Sequence, residues 1–362
     1  MTENALKVFL SLLRAGLWGM PFDVQEVPAL SVGEWKEVLS MSERQTVAGV
    51  TFLGLDSMPE DRMPPVGVIG RWAARADAIE RRNKNINSEI ADLYSEFSRN
   101  GLEPVLQKGQ GIAALYRCPL SRECGDIDLW FCAPEGKESA DKLIRSKGIN
   151  VRNRPDGSSF YVSRGGIVVE HHLRFYDLYN PFVQKYLHSL TSGVELDRTL
   201  LKLSGVTIPV PAPEHCLLML YSHVLKHSVG RGIGMRQLCD VAVACDRYRY
   251  TLDRKLFRGM CRHTGIARWV ELMNSFMTRY IGLPTSSLPY KTKDADASGL
   301  FDIVIEGGNF GRYDTSNGHP DMTGFRRKIH TAMAFLRNSR FSLPVAPGET
   351  AGVFLMLLKG QI

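Results

Sequence analysis

The sequence predicts an α+β protein, with a mixed β-sheet core at 101–203 set between helical units at 1–100 and 204–362. Three observations predict it. Apolar residues recur at helical spacing through the first hundred positions, the texture changes near Gly101 to short apolar runs separated by turns, and helical periodicity returns beyond the proline-rich stretch 207–213. At 362 residues the chain exceeds the size at which one hydrophobic core keeps growing, so two or three structural units are expected.

In the first unit Leu6, Phe9, Leu10 and Leu13 share one helix face, and Ser31 ahead of Glu34 reads as a capping box. A long charged amphipathic run over 71–100 closes this unit. In the second, strands are expected at 104–107, 127–131, 160–162 and 167–169, with a helix at 139–146. Pro209, Pro211 and Pro213 make 207–213 read as a rigid linker, because proline removes the N–H that regular pairing needs. In the third, Leu217, Leu218, Leu220, Tyr221 and Val224 predict a helix after Pro213. Gly230, Gly232 and Gly234 break it, and 235–248 resumes. The polar stretch 306–323 reads as a long loop.

Composition excludes several classes. The chain is 44% hydrophobic and 23% charged, as ordinary globular proteins are, with no fixed-period repeat. A formal charge of +7 favours anionic partners, among them nucleotides, phosphorylated metabolites and RNA. The 7 cysteines, at 118, 124, 132, 216, 239, 245 and 261, include no C-x-x-C pair, which argues against a zinc ribbon or disulfide scaffold and for a reducing cytoplasm. The apolar stretch at 5–13 is preceded by Glu3 and followed by Arg14, so it reads as a helix and not as a signal peptide. No segment approaches the roughly 20 apolar residues of a membrane span.

The chemistry concentrates in Gly125-Asp126-Ile127-Asp128-Leu129-Trp130-Phe131. On a strand Asp126 and Asp128 project to one side, roughly 7 Å apart at Cα, while Ile127 and Leu129 face the core. Two carboxylates so placed can converge on divalent ions about 4 Å apart, the spacing of two-metal phosphoryl chemistry. Glu170, near the end of Ile167-Val168-Val169-Glu170-His171-His172, completes the triad if the two strands are neighbours. Upstream, Lys108-Gly109-Gln110-Gly111 supplies a turn where backbone N–H groups can approach a phosphate.

Together Leu106-Gln107-Lys108-Gly109, Leu115-Tyr116, Arg122, Asp126-Ile127-Asp128-Leu129 and Glu170-His171-His172 resemble the nucleotidyltransferase superfamily, and within it the uncharacterised nucleotidyltransferase family of bacterial polysaccharide loci. The resemblance is concentrated at 105–175, with weaker echoes at 236–240 and 306–309. It implies a nucleotidyltransferase-like sheet, two Mg²⁺ ions on Asp126, Asp128 and Glu170, and nucleotide contacts from Lys108, Gly109, Gly111, Arg122 and Arg236. The small hydroxyl residue usual after the glycine is Gln110 in this chain. The implied reaction moves a nucleoside monophosphate from a triphosphate, ATP being the favoured donor, to a hydroxyl, with release of pyrophosphate. A small-molecule acceptor is preferred over tRNA or protein, the targets of toxin-type relatives. A catalytically silent nucleotide-binding scaffold is the alternative of a different class.

Other residues keep two readings. Lys108 is a phosphate clamp or a solvated lysine, and Arg122 a phosphate contact or a structural ion-pair partner. Of His171 and His172, strand alternation allows one near the acids and sends the other to the core. His223 and His227 have metal-ligand spacing but lack the glutamate of H-E-x-x-H, so an interior pair is expected. Arg231 and Arg236 flank a glycine turn that could hold an anion, failing which the turn is a helix break and Asp240 an internal ion-pair partner. The pair Arg81-Arg82 and the run Arg326-Arg327-Lys328 read as solvated helix faces.

Overall fold

A computed structural model of the chain describes residues 1–22, 28–191, 198–230, 232–291, 293–308 and 342–358, together with Phe335 and Ser339. Helices α1 (Glu3–Trp18), α2 (Val32–Arg44), α3 (Ala48–Gly54) and α4 (Val66–Arg99) form the N-terminal part. The capping box expected at Ser31 is present, with the Ser31 side chain accepting from the Glu34 N–H and the Glu34 carboxylate accepting from the Ser31 N–H. Helix α4 is 34 residues, a rod of about 50 Å. Its buried positions Ile79, Asn83, Ile86, Ile90, Leu93 and Phe97 step by three or four, a continuous stripe on one face.

The sheet follows: β1 (Val105–Leu106), α5 (Gln110–Ala113), β2 (Asp126–Trp130), α6 (Pro134–Ser146), β3 (Arg152–Asn153), β4 (Ser159–Val162) and β5 (Val168–His172). Its strand order is β1-β2-β5-β4-β3; β2 and β5 run parallel and the other pairs antiparallel. The parallel register sets Ile127 beside Val169 and Asp128 beside Glu170. Strand alternation then sends Ile127, Leu129 and Val169 into a core closed by Ile86, Ile90 and Phe97 of α4. His171 joins that core. Its Nδ1 lies 2.7 Å from the Asp141 carboxylate, which also accepts from Lys137 Nζ (2.9 Å) and Ser159 Oγ (2.8 Å), so that side of the ring is partnered while Nε2 is not. Helix α6 begins at Pro134, earlier than the expected 139, because proline suits a first helical turn, where an N–H has no partner to lose.

After α7 (Gln184–Ser189) comes a correction. The stretch expected to be a linker is strand β7 (Val206–Pro211), hairpinned to β6 (Arg198–Leu203). Ser204 and Gly205, both with positive φ (47° and 85°), make the tight turn. In a two-stranded sheet every strand is an edge, and Pro209 and Pro211, two apart, both place their missing N–H on the unpaired side. Helices α8 (Pro213–Gly230), α9 (Met235–Tyr248), α10 (Arg254–His263), α11 (Ala267–Phe276), α12 (Ser298–Gly307) and α13 (Pro347–Leu358) follow. Their apolar faces share one core with α1, α2 and α3 and with Val68 and Trp72 at the start of α4. Arg231, residues 309–323 of the expected long loop, and the basic run 326–328 lie outside the described residues.

Two polar fastenings hold the segment leading into β2. The Asn83 side-chain amide donates to the carbonyls of Leu120 (2.7 Å) and Arg122 (2.8 Å), and its oxygen accepts from Gln110 Nε2 (3.2 Å). Arg122, buried, forks onto Asp240 of α9 at 2.6 and 2.7 Å, and Tyr116 Oη donates to the same carboxylate at 2.7 Å. Removing one partner of such a pair strands a buried charge. Asp240→Ala is therefore expected to lower unfolding free energy by about 3–5 kcal/mol in urea titrations, and a loss below 1 kcal/mol would contradict the arrangement.

Candidate active site

The acids meet on the cleft side of the paired strands β2 and β5. Ligand atoms of Asp128, Glu170 and His172 lie within 4.8 Å of one another, with His172 Nε2 2.9 Å from Asp128 Oδ1 and 3.4 Å from Glu170 Oε2. The parallel register brings Glu170 to Asp128, and His172 shares their face because it stands two residues beyond Glu170. Asp126 lines the same cleft but is not a member of that close group. Of the expected carboxylate triad, then, Asp128 and Glu170 converge with a histidine, and Asp126 sits beside them. The cleft has a volume of about 690 Å³ and is walled by α4, the sheet, and helices α8 and α9.

Lys108 follows β1, on a turn where Gly109 has φ 59° and ψ −114°, and a Cβ there would come 3.1 Å from the Asp126 carbonyl oxygen. Only glycine takes that conformation without strain. The turn aims Lys108 Nζ at Asp128 (3.6 Å) and Asp177 (3.9 Å). The other turn residues look elsewhere. Gly111 packs against Leu106 and Val210 of the β6–β7 hairpin, and Gln110 turns inward to Asn83. Arg122 lines the cleft, but its fork is taken by Asp240, which is the ion-pair reading of that residue. Arg236 also reaches the cleft, donating to the Glu123 carbonyl at 2.7 Å.

Sequence reasoning missed Asp177, Lys226, Glu349 and Arg154, and set His223 aside. Asp177, in the loop after β5, is held by Lys226 Nζ (2.8 Å) and His223 Nδ1 (2.7 Å) from α8. That loop is fastened by Glu349 of α13, whose carboxylate accepts the Tyr179 and Asn180 N–H groups at 2.7–2.9 Å. His223 and His227, expected as an interior pair, are half-buried and line the cleft, with ring centroids 4.5 Å apart. Arg154, at the end of β3, forks onto Glu170 at 2.6 and 2.7 Å. Alternation allowed one of His171 and His172 near the acids without choosing between them, and the structure places His172 there; Asp177 and Arg154 sit in turns with no local signature.

Electrostatics ties these groups together. Burial raises the proton affinity of Asp128, but Lys108 and the His172 hydrogen bond outweigh it and hold the carboxyl well below the usual range. Asp177 is likewise held well below that range, as Lys226, Lys108 and His223 overcome its burial. Lys108 is raised: burial opposes its charge, but Asp128, Asp177 and Asp126 restore it. Asp126 takes the opposite course and is pushed up to about 6 by the charge of Asp128, then by burial and Glu170. Because its folded pKa lies above the ordinary value, its neutral form stabilises the fold at low pH, and that contribution is lost as pH rises through about 6. In metal-chelated protein the stability gain of Asp126→Asn over wild type is expected to grow between about pH 4 and 6. It should level off at about 1–3 kcal/mol, and denaturant titrations showing a gap independent of pH would contradict this.

A solved structure, that of an antigenic nucleotidyltransferase-like protein from Paracoccidioides brasiliensis, is similar over 63% of this chain and 98% of its own, at 15% identity and a TM-score of 0.38. No curated protein matches the sequence. The sequence model described as "uncharacterised nucleotidyltransferase" matches residues 31–282, a span holding β1 to β5, the clustered acids and the cleft-facing part of α8. The chain belongs to the uncharacterised nucleotidyltransferase family.

Proposed function

We propose that the protein transfers a nucleoside monophosphate from a nucleoside triphosphate to the hydroxyl of a small acceptor, releasing pyrophosphate. The observation that carries this reading is the convergence of Asp128, Glu170 and His172 within 4.8 Å, with Asp126 and Lys108 beside them in one cleft. Two carboxylates and an imidazole are a donor set for an intermediate divalent cation, and the oxygens of Asp126, Asp128 and Glu170 are the donors that the Mg²⁺ of nucleotidyl transfer takes. Asp128, Glu170 and His172 would hold one ion, and Asp126 with Asp128 a second. Bound there, such ions offset the negative charge that builds on the entering and leaving oxygens.

The chain's own groups supply the rest. Lys108, kept charged by Asp128 and Asp177, and Lys226, kept charged by Asp177, face the cleft as anchors for phosphate oxygens. The acceptor hydroxyl gives its proton to a carboxylate of the cluster, Glu170 in the sequence reading. Its oxygen bonds to the α-phosphorus as the bond to the bridging oxygen breaks, and pyrophosphate leaves with that electron pair. The cleft volume falls in the range of small-ligand sites, which favours a small acceptor over a macromolecule, and ATP is the first donor to test. Seven unpaired cysteines suit a reducing cytoplasm, and no helix among the described residues is long and apolar enough to cross a membrane.

Calorimetry with ATP, GTP, CTP and UTP, with and without Mg²⁺, tests the binding half of this proposal. One nucleotide is expected to bind only with metal, and that binding should be lost in Asp126→Ala/Asp128→Ala. Asp128→Asn is expected to slow transfer about a thousandfold, roughly 4 kcal/mol of transition-state stabilisation, with an unchanged circular dichroism spectrum. Full turnover in that variant would sink the assignment. Metal-dependent binding with no transfer to any hydroxyl compound would leave a silent nucleotide-binding protein.

A further inference from the structure

Both oxygens of Glu170 are engaged by Arg154. Arg154 Nη2 lies 2.6 Å from Oε1 and Nη1 2.7 Å from Oε2, so the guanidinium covers the edge of the carboxylate that a cation would use. The arrangement follows from the β3–β4 hairpin. Arg154 begins its turn, its N–H donating to the Ser158 carbonyl (2.8 Å) and its carbonyl accepting from the Gly157 N–H (3.1 Å). Phe160 pairs with Glu170 across β4 and β5, and the guanidinium lies 4.6 Å from the centre of its ring, carried across the sheet to the acid. Arg154 therefore has a fixed backbone and a side chain that is 35% exposed at the cleft wall. The other cation beside the acids differs: Lys108 is 16% exposed and held between Asp128 and Asp177.

We infer that Arg154 is a nucleotide-phosphate ligand that the free protein stores on Glu170, so that metal and nucleotide enter the site as coupled ligands. The inference rests on the nucleotidyl-transfer reading. A divalent cation bound by Asp128, Glu170 and His172 competes with Arg154 for one carboxylate, and a displaced guanidinium beside a dication keeps only the weaker attraction of Asp156 in the hairpin turn. A triphosphate provides a stronger one. Its oxygens match the planar fork of arginine, so the side chain exchanges one bidentate anion for another while Glu170 becomes free for metal. Metal alone is then disfavoured by Arg154, and metal with nucleotide is favoured by the same residue.

The test is calorimetric titration of MnCl₂ into nucleotide-free protein, then of ATP, GTP, CTP and UTP, each with saturating MnCl₂, for wild type, Arg154→Gln and Arg154→Lys. Arg154→Gln is expected to bind Mn²⁺ alone about tenfold more tightly and the nucleotide about tenfold more weakly, two shifts of opposite sign that a merely structural role would not produce. Arg154→Lys, which keeps the charge and loses the fork, should fall between. Wild type that binds Mn²⁺ with nucleotide, combined with variants whose two affinities stay unchanged or move together, would overturn the handover and leave the transferase reading standing. Wild type that binds neither Mn²⁺ nor any of the four nucleotides would overturn both.

Discussion

The pairing of β2 with β5 is the constraint on which the rest depends, because its register forces carboxylates together in a half-buried place. Asp128 and Glu170 are direct neighbours across that ladder, and Asp126 is two residues along the same face. Two like charges about 4 Å apart repel by about 4 kcal/mol at the effective dielectric of a protein surface. No single hydrogen bond offsets that. The surroundings of the acids can be understood as the answer: Lys108 from the turn after β1, His172 from β5 itself, and Arg154 from the next hairpin.

The same electrostatic problem recurs one layer out. Lys108 needs a counter-charge of its own once buried, and Asp177 supplies it while also holding Lys226 and His223 of α8. Asp177 can do so only because its loop is tied down, and Glu349 of α13 ties it through two backbone N–H groups. A residue near the end of the chain thereby positions a cation beside an acid of β2. On the opposite wall, Arg122 and Asp240 fasten α9 to the segment entering β2, with Asn83 of α4 holding that segment from below. The helical parts thus hold the cleft's charged residues in place as well as forming its walls.

Charge compensation of this kind leaves the cleft close to balanced, with acids at its floor and cations around them, and it bears on how the site is used. A site filled with fixed counter-ions would resist metal; a site with none would not fold its acids into one place. Arg154, anchored by its backbone and open on one side, is the counter-ion that can leave without disturbing the sheet.

Much of this was legible in the sequence, for a physical reason. Periods of 2 and 3.6 are written locally, so the strand at Asp126, the common face of Asp126 and Asp128, the capping box at Ser31 and the helix at 235–248 could be read from neighbours alone. The motif around Lys108, the acids and Glu170 carried the family. Local signals also misled, since the prolines of 207–213 deny pairing only on one side, and an edge strand needs no more than the other. What tertiary structure decided was which distant groups lose water together. Arg122 found Asp240, Glu170 found Arg154, and Asp177 found Lys226, from segments whose sequences carry no mark of one another. Buried charges choose partners by proximity after the backbone has closed, and that choice is a property of the fold.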